Sequence, residues 1–114
     1  MNLDDLISAI EQTSSDSAAL RLAALLSSWK DDETDTKALE TTVERFIGNT
    51  RIDSKTEHKK IYSLWSQFRD DVMHGIGGMT MNERLCCFSL LPLWDSTHTE
   101  EERKAIYAKL LANP

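Results

Sequence analysis

Residues 16–29 read DSAALRLAALLSSW, with apolar side chains around most of a helix circumference. Leu22, Leu25, Leu26 and Trp29 follow the i, i+3, i+4, i+7 pattern of one face of an α-helix. The alanines between them widen that face, and a helix with so wide an apolar surface belongs in the interior of a domain. The sequence therefore predicts a central, largely buried helix over this stretch.

Five further segments have the same helical period, and four of them start with an N-cap signal. Asn2, Ser54, Thr80 and Thr99 are of the residue types that cap helices, and the last three have glutamate three positions later, as in a capping box. Their apolar stripes are Leu3, Leu6, Ile7 and Ile10; Leu39, Val43, Phe46 and Ile47; Ile61, Leu64, Trp65, Phe68 and Val72; Leu85, Phe88, Leu91 and Trp94; and Ile106, Tyr107, Leu110 and Leu111. The predicted helix with the stripe that runs from Ile61 to Val72 should end at Gly75, because glycine is typical just beyond a helix C-terminus.

The predicted fold class is all-α. No segment has the two-residue period of a strand, so we expect a compact single domain over 1–114 that is a bundle of about five to six helices. Pro92 lies inside the fifth predicted helix in chain order, the one that carries Leu85, Phe88, Leu91 and Trp94, and should kink or finish it, because proline lacks the backbone N–H. The expected core contains Leu25, Leu26, Trp29, Trp65, Phe68, Leu85, Phe88 and Trp94.

Composition limits the classes of function. The chain has 114 residues and a formal net charge of −6, which disfavours a large phosphate-contacting surface. No apolar run reaches the ~18 residues that span a bilayer, and the acidic N-terminus is unlike a secretory signal. We therefore expect a cytoplasmic protein with no membrane partner. The adjacent Cys86 and Cys87 are expected to be small buried side chains rather than a disulfide or a zinc site.

An acidic connection follows Trp29. Asp31, Asp32, Glu33 and Asp35 lie within five residues, which is more charge than a turn requires. We expect these carboxylates to be exposed and continuous with Glu40 or Glu44 of the third helix, because a short polar connection cannot be buried without stranding its backbone groups. The predicted partner-binding residues are therefore six carboxylates: Asp31, Asp32, Glu33, Asp35, Glu40 and Glu44.

Exposed carboxylates beside an aromatic residue suit docking onto a basic protein, because charge sets the association rate and a few buried groups supply affinity. Small acidic helical proteins of this kind include immunity proteins, antitoxins and phage inhibitors, whose partners are often cationic toxins or nucleases. The sequence thus favours an immunity-type or antitoxin-type inhibitor. The alternative is that the acidic residues only keep the protein soluble.

Residues 69–75 read RDDVMHG and resemble the Arg-x-x-x-x-His signature of the HEPN ribonucleases, which are all-helical. The resemblance implies a metal-independent ribonuclease, with Arg69 on the scissile phosphate and His74 as general acid or base. Asp70 matches a position that is often Asp or Asn. It also implies a homodimer, with two copies of the motif across the interface. The same residues equally fit a helix C-terminus, where a cation followed by glycine is common.

Two other features of the sequence bear on ligand binding. His58, Lys59 and Lys60, together with Arg51 and Lys55, are predicted either to hold an anion or to be a solvated helix face. His58 and His98 have no metal-ligating partner at helical spacing, so no metal and no cofactor are expected.

Overall fold

The computed structural model describes residues 1–113, of which 73% are helical, and contains no strand in that range. The all-α prediction is confirmed at the level of fold class. The α-helices in order are α1 Leu3–Thr13, α2 Ser17–Trp29, α3 Thr36–Asn49, α4 Lys55–Phe68, α5 Met81–Cys87, α6 Leu91–Asp95 and α7 Glu100–Lys109. A π-helical segment, Arg69–Met73, continues directly from α4, and a short 3-10 turn follows at Ile76–Gly78.

Side-chain caps start the helices where the sequence predicts them. Asn2 and Thr80 form complete capping boxes at the starts of α1 and α5. Ser54 and Thr99 accept a hydrogen bond from the third residue of α4 and α7, respectively. Each cap satisfies a backbone N–H that the helix itself leaves without a partner. The helix starts are therefore determined locally.

The core is one apolar cluster to which every α-helix contributes, α6 only through a partly buried side chain. α1 packs against α2 and α4, and α2 also packs against α3. The rings of Trp29, Phe88 and Phe68 form a chain, with centroids 5.6 Å and 5.8 Å apart, that joins α2 to the end of α4. All the expected core residues are buried except Leu25 and Trp94, which are half-buried and pack against the cluster.

The predicted fifth helix is two helices, so the described residues form seven α-helices rather than five or six. α5 ends because Ser89 adopts a left-handed backbone with φ 56°, while the Leu90 N–H donates to the Leu85 carbonyl at 2.9 Å. This Schellman-type end normally has glycine at the left-handed position, and with serine there no residue type signals the break. Pro92 then lies at the start of α6, where its missing N–H costs nothing. The expectation that Pro92 ends a helix is wrong: it begins one.

The cysteines also differ from expectation. Both are free thiols, but Cys86 is exposed and Cys87 is half-buried. Burial raises the pKa of the Cys87 thiol. The buried face of α5 carries Arg84 and Leu85 and continues to Phe88, so Cys86 lies on the opposite face and Cys87 at its side.

Candidate functional site

The acidic connection between α2 and α3 is exposed at Asp31, Asp32 and Glu33. The Asp32 carboxylate accepts hydrogen bonds from the Thr34 N–H at 2.8 Å and from the Thr34 hydroxyl at 2.7 Å. The Lys109 ammonium donates to the same carboxylate oxygen at 3.1 Å. Partial burial alone would raise the pKa of Asp32, but these hydrogen bonds outweigh it and lower the pKa below its ordinary value. The Asp32 carboxylate is therefore held in one position by Thr34 and by Lys109 of α7.

Asp35 has a structural role. Its carboxylate caps α3 by accepting from the Ala38 N–H at 2.9 Å, and its carbonyl accepts from the Trp29 indole N–H at 3.0 Å. The residue is half-buried. The expectation that Asp35 is exposed is therefore wrong, because both of its polar groups are used to join α2 to α3.

Glu40 and Glu44 lie one turn apart on α3 and face the segment that follows α4. Glu44 accepts from the Arg69 guanidinium and from the Trp65 indole N–H. One Glu40 carboxylate oxygen lies 3.0 Å from the His74 Nε2. Burial alone would raise the pKa of Glu44, yet the hydrogen bonds from Arg69 and Trp65 outweigh it and hold the pKa low. Both glutamates thus have partners within the chain.

The π-helical segment brings Arg69 and His74 to the same place. The His74 N–H donates to the Arg69 carbonyl at 2.9 Å, which is the i→i+5 bond of a π-helix. In a regular α-helix two residues five apart point about 140° away from each other. The wider π turn removes most of that difference, so the Asp70 carboxylate accepts from the Arg69 Nε at 2.9 Å and lies 3.7 Å from the His74 Nδ1. The helical run therefore still ends just before Gly75, as predicted, but its last turn is π-helical from Arg69 onward.

These five side chains form a charged cluster, which we call the Arg69 cluster: Glu40, Glu44, Arg69, Asp70 and His74. Hydrogen bonds to Asp70 and Glu44 raise the pKa of Arg69 above its ordinary value, and Arg69 in turn lowers the pKa of Asp70. The cluster has three carboxylates and one guanidinium, so it is net negative whether or not His74 carries a second ring proton. Such a site can hold a proton or a cationic group, but it repels a phosphate.

A groove of about 460 Å³ lies beside the acidic connection and had no signal in the sequence. Its rim carries Asp31, Asp32 and Glu33 from the connection and Glu102 from α7. Leu93 of α6 and an apolar side of α7 form the rest of the wall: Ala105, Ile106 and Ala108. Lys30, Thr97 and Lys109 also line it. We call this feature the acidic groove.

Lys109, the last residue of α7, lines the acidic groove. It is 5% exposed, and its ammonium donates to the backbone carbonyls of Asp32 and Thr34, each at 2.8 Å. The same ammonium lies 4.1 Å from the centre of the Trp29 ring. Burial lowers the pKa of Lys109 despite its hydrogen bonds to Asp32. The position of a lysine between the apolar Ile106 and Leu110 was the one sequence signal that could have indicated this role.

Comparison of the chain with known protein families, with curated proteins and with solved structures finds no significant match. Within residues 1–113, none of the helices has both the length and the apolar character needed to cross a membrane.

Proposed function

We propose that this chain is a small binding protein that docks a basic protein partner, in the manner of an immunity-type or antitoxin-type inhibitor. The observation that carries the proposal is the acidic groove, which combines a carboxylate rim with an apolar wall. Buried apolar contacts supply most of the affinity of a protein interface, whereas complementary charge accelerates association and selects the partner. The net charge of −6 acts in the same direction over a longer range.

Three carboxylates of the connection would face the partner. The side chains of Asp31 and Glu33 are exposed and form no ion pair with another residue of the range 1–113, so their charge is available. Asp32 is held in place by Lys109. Leu93, which is 37% exposed beside them, supplies an apolar contact. The partner segment that fits is basic, with Lys or Arg on either side of one apolar side chain.

The remaining predicted partner-binding residues are less available. Asp35 caps α3, and Glu40 and Glu44 belong to the Arg69 cluster. A partner that used these carboxylates would first have to displace groups of the chain itself. The proposal therefore rests on Asp31, Asp32 and Glu33.

The test is a charge reversal at the rim of the acidic groove. Asp31→Lys combined with Glu33→Lys reverses two charges of the rim. Asp32 is left unchanged, because its carboxylate accepts a hydrogen bond from Lys109. Glu11→Lys combined with Asp53→Lys is the control, because both residues are exposed, neither lines the groove, and the change in net charge is the same. Each protein is used to capture partners from cells, and the association rate of any captured protein is then measured against salt concentration.

We expect the wild type and the control to retain a basic protein that the groove variant loses. The association of the captured basic protein with the wild type should slow as the salt concentration rises, because screening weakens the attraction of exposed charges. Equal losses in both variants would mean that only the net charge matters, and the acidic groove would no longer be the docking site.

A ribonuclease is the second candidate. The observation that favours it is the π turn, which places Arg69, Asp70 and the half-exposed His74 together as the HEPN resemblance requires. The charges oppose it, because Arg69 is already paired and carboxylates surround it. If the purified protein cleaves RNA and His74→Ala abolishes cleavage while Glu40→Gln does not, this candidate replaces the first. No cleavage by the wild type eliminates it.

A further inference from the structure

A second open pocket lies at the start of α4 and is cationic. It has a volume of about 260 Å³ and is lined by Arg51, Ile52, Lys55, His58 and Lys59. None of its lining residues is a carboxylate, although the chain as a whole has a net charge of −6. We call it the cationic pocket.

The cations of this pocket have no counter-charge of their own. Within residues 1–113, no carboxylate oxygen lies within 4.0 Å of the charged groups of Arg51, Lys55 or Lys59, whereas Lys30 and Lys109 each hold an aspartate. Lys55 and Lys59 are four residues apart on α4 and therefore lie on one face, where like charges repel. A bound anion would remove this repulsion.

His58 lies between the cationic pocket and a second, smaller cavity. The residue lines both the cationic pocket and a small enclosed cavity of about 10 Å³, which it shares with Thr50 and Tyr62. Its Nδ1 is buried and has no hydrogen-bond partner among the residues described. Buried polar atoms without a partner are rare in folded proteins, and each calls for a bound water or ligand. The cavity has about the volume that one water molecule needs.

We propose that the cationic pocket binds a phosphate group. A phosphate carries up to two charges and accepts several hydrogen bonds at once, which matches a pocket whose lining residues carry two ammonium groups and a guanidinium. The start of α4 adds the positive end of the helix dipole. The phosphate can belong to a free phosphate compound or to a nucleic-acid backbone, and the proposal does not rest on the acidic groove.

The test is a titration of the full chain with inorganic phosphate at low ionic strength, followed by amide NMR. We expect saturable shifts at the lining residues. Lys59→Gln should weaken binding about fivefold, the factor that one charge pair near 4 Å gives in water. Lys60→Gln is the matched control. Lys60 is the next residue of α4, is exposed and does not line the pocket, so its loss should leave the affinity unchanged.

Equal weakening by Lys59→Gln and Lys60→Gln, or shifts that grow linearly without saturation, would show a diffuse ion atmosphere and overturn the proposal. Sodium chloride at matched ionic strength should produce none of the saturable shifts. Two further arms separate the sources of the phosphate. Tighter binding of a single-stranded RNA oligonucleotide at the same amides assigns the site to a nucleic-acid backbone, and tighter binding of pyrophosphate assigns it to a free phosphate compound.

Discussion

Replacement of Lys109 by methionine removes a buried ammonium group while it keeps an unbranched side chain of similar length. In the folded chain this ammonium donates to two backbone carbonyls at 2.8 Å and to the Asp32 carboxylate at 3.1 Å. It also lies 4.1 Å from the centre of the Trp29 ring. The variant therefore tests how firmly α7 is joined to the acidic connection.

The expected loss in free energy of unfolding is smaller than the summed energies of these contacts. A hydrogen bond to a charged group contributes about 1.5–3 kcal/mol, and a cation over an indole ring about 0.5–2 kcal/mol. Two effects oppose them. The carbonyls and the Asp32 carboxylate lie on exposed residues and regain water. The variant also avoids the unfavourable burial of a charged ammonium, the same effect that lowers the pKa of Lys109. We expect the free energy of unfolding to fall by about 2 kcal/mol.

The assay is urea unfolding followed by far-ultraviolet circular dichroism. Lys104→Met is the matched control, because Lys104 is an exposed lysine of the same helix, and its replacement should change the stability by less than about 0.5 kcal/mol. If Lys109→Met is as stable as Lys104→Met, or more stable than the wild type, desolvation of the ammonium outweighs its contacts, as happens in some buried ion pairs. The contacts of Lys109 would then not be what joins α7 to the acidic connection.

Three further predictions concern the core, the Arg69 cluster and the glycines. Phe88→Ala should lower the free energy of unfolding by about 3–5 kcal/mol in urea, because this fully buried ring joins two aromatic neighbours. Glu44→Gln should be less stable than the wild type above the ordinary glutamate pKa of 4.5, and the difference should vanish as acid protonates Glu44, whose pKa its hydrogen bonds hold low. Gly75→Ala should destabilise by about 1 kcal/mol, since its Cβ would lie 3.0 Å from a backbone carbonyl. Gly48→Ala, with open space around it in α3, should instead stabilise by about 0.5 kcal/mol when thermal unfolding is measured.

The helices and most of the core could be predicted because their signals are local. The Asn2 and Thr80 capping boxes act within one turn, and the apolar stripe of α2 needs only a partner surface, whichever helix supplies it. The break at Ser89 could not be predicted, because serine has no intrinsic preference for a left-handed backbone. There the local conformation follows from the packing of Phe88 and Leu90 on either side, both of which are buried.

The residues of the candidate sites also fall into those that local sequence predicts and those that tertiary packing decides. The amino-acid sequence alone determined that Asp31, Asp32 and Glu33 are exposed, because a short charged connection has no means of burying its carboxylates. Only the tertiary structure decided that Glu40 and Glu44 pair with the Arg69 cluster and that a lysine 77 residues along the chain holds Asp32. Periodicity and caps depend on neighbours within one helical turn. Ion pairs between helices depend on how whole helices pack, which no short segment encodes.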